Sequence, residues 1–103
     1  MIYAQRAVGI DDNAYALDTL GWVYVGLEQY GLAVAELSRA IRIDPDYAWA
    51  YYHLGEAHRR GGQFAEAQDV LNSGRELVLA PGDEELLQRI DESLELVSRN
   101  TRD

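Results

Sequence analysis

The chain has 103 residues, 48% of them hydrophobic, which allows one modest core and argues against disorder. Eighteen acids outweigh nine bases, all arginine, and the net charge of −9 works against nucleic acid and anionic lipid by simple repulsion. The lack of cysteine excludes disulfides, thiolate nucleophiles and cysteine metal sites.

No apolar run approaches the roughly 18–20 residues that cross a bilayer. Met1-Ile2-Tyr3-Ala4-Gln5-Arg6 lacks the basic segment and apolar core of a signal peptide. A soluble chain without a membrane partner is expected, with the cytoplasm as the first expectation for an otherwise open compartment.

Apolar residues recur at helical spacing nearly throughout, broken by turn signals, and no useful alternating pattern predicts a strand. The segment 1–12 reads as a partial helix, because Ala7-Val8-Gly9-Ile10-Asp11 resembles Ala40-Ile41-Arg42-Ile43-Asp44. It is expected either to cap an open edge or to be what remains of an earlier unit of a longer array. Asp11-Asp12-Asn13 supplies N-cap chemistry for a helix running to about Gly26, with Leu17, Leu20, Val23 and Tyr24 on its apolar stripe. After the turn Leu27-Glu28-Gln29, a second helix spans about Tyr30 to Ile43 and would bury Ala33, Val34, Leu37, Ala40 and Ile41.

Asp44-Pro45-Asp46 stops that helix and starts the next, proline by ending the ladder and aspartate by accepting free amide protons. A third helix covers about Tyr47 to Arg60, and Gly61-Gly62 permits a left-handed C-terminal cap. A fourth covers about Phe64 to Leu79, before Ala80-Pro81-Gly82. The last runs from Asp83 to about Arg99, with Leu87, Ile90, Leu94 and Val97 apolar among many acids. The fold class is therefore all-α.

Two stretches coincide at an offset of 34 residues. Leu20-Gly21 recurs as Leu54-Gly55, Gln29-Tyr30 as Gln63-Phe64, Ala33 as Ala67 and Leu37 as Leu71. Such a period, with a small residue in each helix, marks stacked helix–turn–helix units. Gly21 and Gly55 are expected at the close crossing of the helices within a unit, facing Ala33 and Ala67. Ala40 and Gly74 are expected against the first helix of the following unit.

The pattern resembles the tetratricopeptide repeat family, whose unit reads W-x2-L-G-x2-Y, then A-x3-F, A and P. The first unit, 14–47, supplies Leu17, Leu20, Gly21, Tyr24, Ala33, Leu37, Ala40 and Pro45. The second, 48–83, supplies Tyr51, Leu54, Gly55, His58, Ala67, Leu71, Gly74 and a late Pro81. Leucine or tyrosine replaces the first tryptophan, leucine replaces phenylalanine, and His58 stands where tyrosine is usual. The resemblance implies one domain over 1–103, a right-handed superhelix of about two repeats with an N-terminal stub and a capping helix over 84–99.

It also implies a concave groove lined by set positions of each first helix. Here these are Tyr15, Asp18, Trp22 and Val25, then Trp49, Tyr52, Glu56 and Arg59, with Glu85, Gln88, Glu92 and Glu95 on the closing helix. Trp22 and Trp49 are expected to line this groove in preference to packing purely as core, giving an aromatic floor with an acidic rim. One subset of the family grips acidic tails with a lysine, asparagine and arginine clamp. The matching positions hold Asp18, Trp22, His53, Glu85 and Arg89, of which only Arg89 is compatible, so a basic or apolar protein segment is the expected partner.

Little else suggests chemistry. His53 and His58 lie five residues apart, off the four-residue spacing of paired ligands, so no metal or other cofactor is expected. His58 is read as structural and His53 as partly exposed. The carboxylates lack a basic counterpart for acid–base work, and no serine sits in a triad pattern. The functional expectation is a non-catalytic protein–protein interaction module that binds a peptide or helix in its groove. The alternative is a self-assembling scaffold or homo-oligomer, or a piece of a larger multi-repeat protein.

Overall fold

The computed structural model describes residues 13–78 and 83–101. Among these there are five helices and no strand: α1 (Ala14–Gly26), α2 (Tyr30–Ile43), α3 (Ala48–Arg60), α4 (Phe64–Leu77) and α5 (Glu84–Thr101). Segment 1–12, Leu79 and Pro81 lie outside the described residues.

Local chemistry explains the boundaries. Asn13 caps α1 by accepting the Ala16 amide proton at 2.8 Å. Both units close their first helix in the same way. Gln29 N–H donates to Tyr24 C=O at 2.9 Å, and Gln63 N–H donates to His58 C=O at 2.8 Å. This Schellman closure needs one residue in left-handed backbone. Gly62 provides it in the second unit at φ 86, and Glu28 provides it in the first at φ 62. The turn before α3 differs from the expectation that an aspartate caps the helix. Tyr47 is the N-cap and makes no side-chain cap bond, while Asp44 turns back to accept from Asp46 N–H at 3.1 Å. The loop is held further by Tyr51, whose hydroxyl donates to Pro45 C=O at 2.6 Å.

Short turns make α1–α2 and α3–α4 antiparallel pairs, and α2 packs on α3 and α4 on α5 to continue the stack. Three buried clusters follow one another along it. Ala14, Leu17, Ala40 and Ala50 form one, and Val25, Ala33, Leu37, Leu54 and Ala57 the next. The third joins Tyr52, Ala67, Leu71 and Val78 to Leu86, Ile90 and Val97 of α5. Ala40 thus touches both its own unit and the next, and Gly74 lies between Tyr51 and Ile90.

Two packing expectations are corrected. A Cβ on Gly21 would overlap the Leu37 side chain, and one on Gly55 would overlap Leu71, so these leucines, not Ala33 and Ala67, fill the helix crossings. Each leucine occupies the volume that glycine vacates, and both are fully buried. Leu20 and Val23, expected on the buried stripe, are 39% and 50% exposed. Their counterparts Leu54 and Ala57 are 6% and 0% exposed because α2 lies over them, whereas no described helix covers that side of α1.

Candidate interaction groove

The first helices of the units, α1 and α3, contact each other directly, and α3 also contacts α5. Their shared wall holds most of the predicted groove residues. Tyr15 is 70% exposed, Trp22, Trp49 and Arg59 are half-buried, and Val25, Asp18, Tyr52 and Glu56 are buried. Val25 belongs to the core between the helices of its unit.

The aromatic residues come together. Trp22 stacks on His53 with ring centroids 4.3 Å apart and lies 6.1 Å from Tyr52. Trp49 meets Tyr52 edge-on at 6.1 Å, and the Arg60 guanidinium lies 5.5 Å over the Trp22 ring. Both indoles also pack partly against the apolar clusters. His53 is buried, contrary to the sequence expectation. Its Nδ1 lies 2.6 Å from Asp18 Oδ1, a bond between α1 and α3 that satisfies two side chains removed from water together. Nothing in the local pattern signals it, because the partners are separated by a whole repeat.

Glu56 is the centre of a second polar network. It accepts from Arg59 Nε at 3.0 Å, Arg59 NH2 at 2.8 Å and Arg60 Nε at 3.2 Å, and from the Ser93 hydroxyl of α5. Burial alone would raise its carboxyl, but the Arg59 and Ser93 bonds and the nearby guanidinium charges outweigh that and hold it below the ordinary range. The Arg59 guanidinium is raised in turn, chiefly by its bond to Glu56. Burial, reinforced by Glu56, pushes the Tyr52 phenol up, against the opposing influence of Arg89.

On α5, Arg89 donates to Glu85 at 3.0 Å and Gln88 to Glu92 at 3.3 Å, all four exposed. Glu95, the other expected position on this helix, is exposed and paired with Arg99 at 3.3 Å. Arg89 and Ser93 reach the α3 wall but were not among the expected lining residues. His58 contacts Gln63 at 2.8 Å and closes the α3–α4 turn. Among the described residues no group of three acids or histidines is arranged for a metal ion, and no helix is long and apolar enough to cross a membrane.

The arrangement defines a helical-repeat scaffold with one aromatic wall. Residues 21–62 match the family model for the TPR repeat. A solution structure of a tetratricopeptide repeat domain protein from Salinibacter ruber superposes with a TM-score of 0.77. It is 20% identical, with 90% of this chain and 96% of that chain covered, a likeness that speaks for the fold alone. No curated protein matches the chain. The chain thus carries a TPR repeat over residues 21–62 and has the fold of a tetratricopeptide repeat domain. As a class these repeats are protein–protein interaction modules and typically non-catalytic.

Proposed function

We propose that the wall formed by α1, α3 and α5 captures a peptide or helical segment of a partner protein, without catalysis. The observation that carries this reading is the aromatic set Trp22, Trp49 and Tyr52, gathered from two helices and fixed through His53. Large rings held in place offer contact area at little conformational cost, which is how binding hot spots are made. Tyr15 extends the set toward solvent, and Arg59, Glu56 and Asp18 brace it from beneath. The buried carboxylates serve this bracing: Asp18 holds His53, and Glu56 holds two arginines and Ser93.

A photo-crosslinking amino acid in place of Tyr15 tests the reading in native cell extract. The expected result is a discrete adduct that is absent when the same probe replaces the exposed Glu66 on α4. Trp49→Ala should weaken the adduct while the far-ultraviolet helix signal holds. Identical adducts at both positions, or none at either, would count against the groove.

One observation favours a second reading, self-assembly. Leu20, Val23, Leu27 and Leu32 are 39%, 50%, 61% and 47% exposed, an apolar edge on α1 and α2 suited to a neighbouring helix.

A further inference from the structure

Among the described residues, most charged side chains around the aromatic wall are already engaged with one another, which bears on what the wall can recognise. Asp18 and Glu56 are 4% and 3% exposed. A carboxylate offers about four acceptor positions. Those of Glu56 are taken by two N–H groups of Arg59, one of Arg60 and the Ser93 hydroxyl. Asp18 is held by His53. An incoming ammonium would have to displace a guanidinium from a buried site, at the cost of leaving an arginine unpaired.

At the exposed border Glu85 holds Arg89 through two N–H groups at 3.3 and 3.0 Å, whereas Glu92 accepts from the neutral Gln88 amide and keeps its charge. The Arg60 guanidinium is bonded to Glu56 and lies over Trp22. On this wall Asp18, Glu56, Glu85 and Glu92 face Arg59, Arg60 and Arg89, so it is close to neutral on a chain of net charge −9. The excess acidity sits elsewhere, on turns and other helix faces such as Glu28, Asp44, Asp46, Glu66 and Asp69, all exposed.

We infer that the segment the wall takes from its partner protein is apolar and uncharged where it meets Trp22, Trp49 and Tyr15, so that recognition rests on stacking and shape. This inference rests on the groove reading above and narrows the expected basic or apolar partner to the apolar one. Charge matching supports that occupant: a near-neutral wall whose central carboxylate, Glu56, is saturated gives a lysine or arginine little to gain, while half-buried indoles gain area against an aromatic or branched aliphatic side chain.

The test uses the full chain and a display library of random dodecapeptides, followed by affinity measurements on synthesised winners. Enriched peptides should share aromatic or branched aliphatic positions without shared charged ones. Their affinity should drop at least about tenfold with Trp49→Ala or with Tyr15→Ala; the latter alters a 70% exposed side chain and leaves the core intact. Their Kd should change less than about twofold between about 50 and about 500 mM salt, and Glu92→Gln should leave it equally unmoved. Winners with shared basic or acidic residues, whose Tyr15-dependent affinity falls about tenfold over that salt range, overturn the inference but leave the groove standing. Absence of any peptide sensitive to Tyr15 or Trp49 overturns the groove reading, and the inference with it.

Discussion

Glu28 and Gly62 occupy the same place in successive units, and both adopt left-handed backbone, at φ 62 and φ 86. Glycine takes that conformation freely, whereas a residue with a Cβ is strained by about 1 kcal/mol or more. Glu28→Gly should therefore raise the unfolding free energy by about 1 kcal/mol, and Gly62→Ala should lower it by a similar amount, as read from urea midpoints. Glu56 carries a pH dependence. Its folded carboxyl lies below the ordinary range, so its network contributes stability that is full above that range and is lost as pH falls from it through the lower folded value. Glu56→Gln should cost about 2–3 kcal/mol at neutral pH, and its stability should decline less than that of the parent during acid titration followed by circular dichroism.

At the scale of elements, the glycine–leucine crossings decide how close the paired helices come. Each glycine lies inside the contact radius of a fully buried leucine in the partner helix. Gly21→Val and Gly55→Val should each destabilise by about 1–3 kcal/mol. For a domain of this size that lowers the melting temperature by about 4–8 °C per kcal/mol, measurable by calorimetry. An unchanged melting curve for either variant would contradict the pairing. Gly74 belongs to the same class of contact but joins units, since an added Cβ would lie 2.7 Å from Tyr51 Cβ and 3.5 Å from Ile90 Cδ1. Substitution there should loosen α5 from the stack as well as α3 from α4.

For the whole molecule, stacking is directional, and the two ends of the described structure differ. The outward side of α5 carries the exposed polar residues Glu84, Gln88, Asp91, Glu95 and Arg99 beside half-buried Leu87 and 37% exposed Leu96, a mostly solvating end. The α1 end presents Leu20, Val23 and Leu27 instead. If that edge drives self-association, light scattering should show a mass that rises with concentration, and Leu20→Glu with Val23→Glu should return it to the monomer value. A constant monomer mass for the parent chain at high concentration would exclude the self-assembly reading.

The repeat register was legible because it is written in local signals. Helical spacing, the Gly61-Gly62 stop and the 34-residue recurrence locate α1 to α5 within a few residues of where they stand. Trp22, Trp49 and Tyr52 were legible as neighbours because their positions within each unit follow from that period. The state of the polar groups was not legible. Asp18 and Glu56 read as acids facing a groove until α1, α3 and α5 are brought together, when His53 closes on Asp18 and Ser93 on Glu56. Leu20 and Val23 likewise read as core, since their periodicity says which side of α1 is apolar but not whether anything lies over it. By itself the sequence determined the elements and the repeat, both set by residues within a turn or a repeat of one another. The tertiary structure alone decided that Asp18 meets His53 and Glu56 meets Ser93, and which apolar face no described helix covers, because those depend on contacts between residues 35 or more positions apart and on the neighbours at each end of the described stack.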